Sequence, residues 1–294
     1  MRPHPVNFAL LLVVGTLGAL GADDPKKDEL PPPDLNANKL TDSEVREGWK
    51  LLFDGKALTG LRSLKSTDPL KSGWKIDRNA LVLPKEIKQT DKVTGGDLVS
   101  TVIYDDFEFR FDFLLSASAD GGILYFARAA MGQKPSGHEY QLIDDVHNPD
   151  GLKGGEIKRT GSLYGILPRV EKTFVRMAER WNEEHWNHGR IVVQGRHVEH
   201  WLNDQKCLEY DLGPELVRAA AAAKAKVPTG FGNKVRSPIV ILDQGKEVSF
   251  RNLKIRQLAP PAAIPAASVP PAGVRPSPIP VRATPSPTRP LPPR

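Results

Sequence analysis

The 294-residue chain carries 41 Lys and Arg against 35 Asp and Glu, a formal charge of +6, with 39% hydrophobic and 26% charged residues. That balance excludes an intrinsically unfolded chain, whose low apolar content could not offset chain entropy. The positive excess does not indicate a nucleic-acid partner, because Arg275, Arg282, Arg289 and Arg294 lie in the terminal tail and the rest of the chain interleaves both signs.

Residues 1–22 read as a secretory signal peptide: Arg2 and His4 precede the apolar run Phe8 to Val14, and small residues end at Ala22 before Asp23-Asp24. The run is too short to span a bilayer and no later stretch is longer, so the expected product is secreted or periplasmic, without stable membrane insertion. Residues 23–45 are a polar linker with Pro31-Pro32-Pro33, and 46–258 form the folded domain. Residues 259–294 hold 13 of the 27 prolines and read as a Pro-rich disordered tail in polyproline II conformation.

Within the domain the apolar period is two. Phe107, Phe109, Phe111 and Phe113 alternate with Glu108, Arg110 and Asp112, which puts four rings on one strand face and charges on the other. Further strands are expected at Lys50–Phe53, Trp74–Ile76, Ala80–Leu83, Gly122–Ala127, Glu139–Ile143, Arg190–Gln194, Val198–Leu202, Lys206–Tyr210, Ile239–Leu242 and Val248–Arg256. Asp54-Gly55, Asp120-Gly121-Gly122, Gln194-Gly195 and Asn203-Asp204 read as turns. In the last strand Phe250 shares a face with Leu253 and Ile255 only if one residue is extra near Arg251-Asn252, which predicts a β-bulge. One helix starts at Gly213-Pro214 and runs on alanines to about Lys226. Many short strands with one short surface helix define an all-β, antiparallel β-sandwich, a jelly roll and not an α/β fold.

The single cysteine, Cys207, forms no internal disulfide and reads as a small buried apolar residue. His185 with His188, and His197 with His200, have spacings that ligate metal on a helix, but on a strand positions three apart point to opposite faces. No metal and no cofactor is expected.

Several motifs stand in a fixed order: Gly48-Trp49, Leu51 to Lys56, Asp106 to Phe109, Gly121-Gly122-Ile123, Gly137 to Leu142, Gly161 to Tyr164, Trp186-Asn187, Leu202-Asn203 and Phe250 to Leu253. Singly each is weak; as an ordered set over residues 45 to 258 they closely resemble the 3-keto-disaccharide hydrolase family. The resemblance implies a concanavalin-like sandwich whose concave face binds sugar and acts on 3-keto-glucosides. A ketone at C3 acidifies the C2 proton. A base removes it, the C1 substituent leaves by β-elimination, and water adds to the unsaturated ketone, so the net reaction is hydrolysis.

The best place for such chemistry is the strand around Glu139, where Glu139 and Gln141 share a face and Tyr140 and Leu142 take the other. Asp145, near 20 Å further along at about 3.3 Å per residue, cannot pair with Glu139. A second group therefore has to come from a neighbouring strand. With Glu139, motif positions make Asp144, His200 and Asp243 candidate catalytic residues, and Gln141, Arg128, Tyr164, Gln244 and Arg251 candidate sugar contacts. The chain also departs from the family pattern at Leu61, Asp120-Gly121, Asp204 and Gln244, the last standing where relatives often carry histidine. An amide does not titrate near neutral pH, so a non-catalytic carbohydrate-binding sandwich stays open beside the enzyme, as does a structural envelope protein using its proline tail. The partner is a 3-keto sugar or other carbohydrate; the oligomeric state is not legible.

Overall fold

The computed structural model describes residues 34–65, 73–83, 96–130, 133–170, 175–176 and 186–259. The expected signal peptide, residues 23–33 of the linker, the tail beyond residue 259 and His185 lie outside them. In chain order the strands are β1 (Lys50–Leu51), β2 (Leu61–Ser63), β3 (Lys75–Asp77), β4 (Ala80–Leu83), β5 (Leu98–Ser100), β6 (Phe107–Leu115) and β7 (Asp120–Arg128). They continue with β8 (Ser136–Ile143), β9 (Asn187–Gln194), β10 (His197–Leu202), β11 (Gln205–Asp211), β12 (Val240–Ile241) and β13 (Val248–Gln257). All pair antiparallel, in an eight-stranded sheet ordered β11-β10-β9-β6-β13-β4-β3, with β1 also on β13, and a five-stranded sheet ordered β2-β5-β12-β7-β8. This is the expected antiparallel β-sandwich.

The four phenylalanines of β6 explain why the sheets stack. Each is buried, Phe109 and Phe111 stack at 5.2 Å, and Phe111 meets the edge of Tyr140, on β8 of the smaller sheet, at 5.4 Å. Burying such rings is the main driving force here, each contributing roughly 1.5–3 kcal/mol. The other face of β6 is not simply solvated. Glu108 and Asp112 are buried beneath a layer in which the guanidinium groups of Arg110 and Arg256 lie 4.4 and 4.8 Å from the centre of the Trp49 ring.

The expected bulge in β13 lies between Arg251 and Lys254, with Asn252 at φ +52°. It lets one strand edge serve two partners, β4 before the bulge and β1 after it. Three sequence expectations change. The strands β2 and β5, of three residues each, are additional. The alanine helix α3 ends at Ala222, just before Lys224 at φ +54°, and it is joined by α1 (Asp42–Arg46) and α2 (Pro149–Lys153). Asp120-Gly121-Gly122 is no turn but the start of β7.

Candidate active site

Strands β7 and β8 pair with Gly122 opposite Gln141 and Leu124 opposite Glu139. Opposed residues share a face, so Asp120, Gly122, Leu124, Glu139 and Gln141 all point away from the core, while Ile123, Tyr125, Tyr140 and Leu142 fill it. The outer edge of β8 is covered by the segment after α2: Gly161 N donates to Gln141 O at 2.9 Å and Tyr164 N to Glu139 O at 3.0 Å. Together with residues 223–228, which follow α3, these elements border an open cleft of about 670 Å³. Asp120, Glu139, Gln141, Tyr164 and Gln244 line it.

The glycine at 122 has a specific cause. A Cβ there would collide with Glu139 Oε1 and lie 3.0 Å from its Cγ and Cδ, so Gly122 is the space into which the Glu139 side chain folds. No hydrogen bond or ion pair from the described residues holds the Glu139 carboxyl. Burial, and then the negative charge of Asp120, push its pKa up to about 8. Asp120 is raised by burial as well, partly offset by the Gln141 amide, whose Nε2 donates to Asp120 Oδ1 at 3.1 Å. Gln141 is 2% exposed and its Oε1, also buried, has no partner among the described residues. An unmet buried acceptor costs about 1–3 kcal/mol, which a ligand hydroxyl would offset. Burial also raises the Tyr164 phenol, against the pull of Lys158, which sits 5.7 Å from the ring centre.

The sequence candidates therefore divide. Glu139, Gln141, Tyr164 and Gln244 come together, although the aromatic Tyr140 faces the core and takes no part. Asp243 stands beside Gln244 but does not line the cleft: its amide donates to Asp97 at 2.9 Å and its carboxylate accepts from Gly245 N. Arg128 is exposed and donates to Thr229 O at 2.9 Å, outside the cleft lining. Three positions are corrected outright.

Asp144 is buried and accepts from the amides of Ser118, Val146 and His147 and from the His147 ring. Burial works to raise its pKa, but these donors outweigh it and hold the carboxyl below its usual range, which makes it a loop fastener. Arg251 lies on the larger sheet, stacked on Trp186 and paired with Asp112. His200 is fully buried between the sheets.

The His200 environment is a chain of buried hydrogen bonds. Its Nδ1 meets the Gly161 carbonyl, which can only accept, so Nε2 accepts from the Tyr125 hydroxyl at 2.6 Å. Tyr125 in turn accepts from Tyr210 at 2.6 Å, and Tyr210 from His138 Nδ1 at 2.8 Å. Burial pushes the His200 imidazole down to about 4, against the Gly161 carbonyl, so it stays neutral and structural. Alternation could have given this away, since Val198, His200 and Leu202 share the inward face of β10. Asp120, which the local Asp-Gly-Gly pattern assigns to a turn, is the further carboxyl of the cleft, because it starts β7.

The described residues thus place a carboxyl-lined cleft on the outer face of the smaller sheet of an antiparallel sandwich. The profile of the 3-keto-α-glucoside-1,2-lyase-like domain matches residues 48–256, well over half of the chain, and the protein belongs to that family. Among solved structures it is similar to a protein of Parabacteroides distasonis ATCC 8503 provisionally assigned as a glycosyl hydrolase, at 27% identity and TM-score 0.63, covering 76% of this chain and 100% of that one. A second protein of that organism with the same assignment is 22% identical, TM-score 0.52, over 71% of this chain and 99% of that one, a likeness of fold. No curated protein matches the chain.

Proposed function

We propose that this protein is an exported enzyme that cleaves 3-keto-glycosides by C2 deprotonation, β-elimination and hydration. One observation carries the reading: in a member of this family, a carboxyl group with no hydrogen-bond or ion-pair partner among the described residues lines a cleft, where burial and the Asp120 charge push its pKa up to about 8. A general acid/base group works best with a pKa near the operating pH. Glu139 is that group; Gln141 Oε1 accepts a sugar hydroxyl, and Tyr164 and Gln244 donate to the sugar or to the developing enolate oxygen. The leader reading of residues 1–22 supports export, and N-terminal sequencing of native protein tests it: a mature start near Asp23 is expected, and an intact Met1 counts against it.

The deciding experiment is a turnover assay on 3-keto-glucosides, with ligand binding measured separately on the same samples. Glu139→Gln, nearly isosteric, is expected to lose turnover by about 10² or more while keeping binding. A second reading, a carbohydrate-binding sandwich without turnover, is favoured by one observation: the cleft position of Gln244 holds an amide that cannot move a proton. Saturable binding of unoxidised glycan with no turnover of any 3-keto-glucoside would establish it instead.

A further inference from the structure

A second carboxyl from the neighbouring strand, that of Asp120, lines the cleft with Glu139, as do Asp150 and the amines of Lys134 and Lys158. Glu139 is rooted opposite Leu124 but its carboxyl folds over Gly122, and Gln141 is rooted opposite Gly122 itself. The Gln141 amide reaches Asp120, two residues along β7 on the same face, at 3.1 Å. The cleft is therefore lined by one carboxyl from each strand, with Gln141 rooted between the level of Glu139 and that of Asp120. The two differ in their partners among the described residues: Asp120 receives a side-chain N–H bond that favours its ionised form, and Glu139 receives none.

We propose that Asp120 is the base that takes the C2 proton and Glu139 the acid that protonates the leaving oxygen, an assignment that rests on the 3-keto-glycoside reading of this cleft. In the elimination, the C2–H pair forms the C1–C2 double bond, the C1–O bond breaks, Asp120 gains the C2 proton and Glu139 gives its own to the departing oxygen. In the hydration, Glu139, now ionised, takes a proton from the water that attacks C1, and Asp120 returns its proton to C2. The sum is one water consumed and one glycosidic bond cleaved, with both carboxyls restored. The protonation states agree with this order, since Glu139 keeps its proton to about pH 8 in the presence of the Asp120 charge.

The roles separate by leaving group. With a 3-keto-disaccharide, whose sugar alkoxide needs a proton, Asp120→Asn and Glu139→Gln are both expected to lose about 10² or more in turnover. With p-nitrophenyl 3-keto-glucoside, whose phenolate leaves unaided, Glu139→Gln recovers most of that loss and Asp120→Asn does not. Exchange of the C2 proton for deuterium, followed by NMR, falls with Asp120→Asn and survives Glu139→Gln. Asp120→Ala, which opens space for a small carboxylate, is expected to regain at least about tenfold with added formate, a rescue that a merely structural residue would not show. Wild-type turnover left unchanged by Asp120→Asn, or a leaving-group dependence falling on Asp120→Asn instead of Glu139→Gln, overturns the assignment while leaving the function intact. Absence of wild-type turnover on every 3-keto-glucoside overturns the reading beneath it.

Discussion

The outer faces of the two sheets place carboxylates in the same way and treat them in opposite ways. On β6, Glu108 accepts from Arg110 at 2.8 Å and from Arg256 at 2.7 Å, with Arg190 at 3.5 Å. Asp112 is met by His188 at 2.8 Å and by the Asn252 amide at 2.7 Å. On β7 and β8, among the described residues, Asp120 has one side-chain donor and Glu139 has none. Paired charges fix a surface, whereas an unpaired carboxyl in a cleft is a poor contributor to stability and an available proton carrier. The difference separates a structural face from a chemical one more sharply than residue type does.

The comparison breaks most visibly at Glu108. Removing one partner of a buried ion-pair network leaves the others uncompensated, which costs about 3 kcal/mol, the low end of the usual range because the arginines reach solvent. Glu108→Ala is therefore expected to lower the denaturation midpoint strongly while the remaining folded protein keeps its turnover number. A stable variant would show that the arginine layer on β6 is decorative.

The reverse pattern is expected at Gly122. An alanine there drives the Glu139 carboxyl from its position, and a displacement of about 1 Å costs on the order of 10² in rate. Stability should change little, since Ala suits a strand no worse than Gly. Full activity in Gly122→Ala would mean that the Glu139 position above Gly122 does not matter to the chemistry.

How much of this was legible follows from range. Phe107 to Phe113 and the Glu139/Gln141 face were readable because alternation is a local pattern, and so was the bulge near Asn252. The three-residue strands Leu61–Ser63 and Leu98–Ser100 are too short for any period to declare itself. Gly122 misled for a different reason: its local neighbours spell a turn, while the cause of the glycine is a side chain on the next strand. Motif position placed Asp144, His200 and Arg251 at the site, yet it carries no information on which face of a strand is open. Only the burial of each side chain supplies that.

A smaller effect lies in the pH dependence of stability. The folded pKa of Glu139 is raised, by burial first and Asp120 second, from 4.5 to about 8. Between those values the folded state holds a proton that the unfolded state has lost, so stability is greatest below the lower value and falls as pH rises toward the upper one. Glu139→Gln, which carries no proton, should flatten that decline in melting temperature between about pH 5 and pH 8. Parallel wild-type and variant profiles would place the carboxyl in contact with water.

The smallest effect is expected at Arg128, and it distinguishes contact from support. The side chain is exposed, so its loss removes little packing, and its bond to Thr229 O at 2.9 Å is a single surface interaction of about 1 kcal/mol or less. That bond nevertheless anchors the chain immediately after residues 223–228, which form one wall of the cleft. In Arg128→Ala the wall is free to shift while Glu139, Gln141 and Asp120, on β7 and β8, keep their places. KM should therefore rise a few-fold at an unchanged turnover number, because uniform binding is weakened and the proton-transfer groups are not. A fall in turnover number as large as that of Glu139→Gln would mean instead that the guanidinium reaches the reacting sugar, and that the wall closes over substrate with Arg128 inside it.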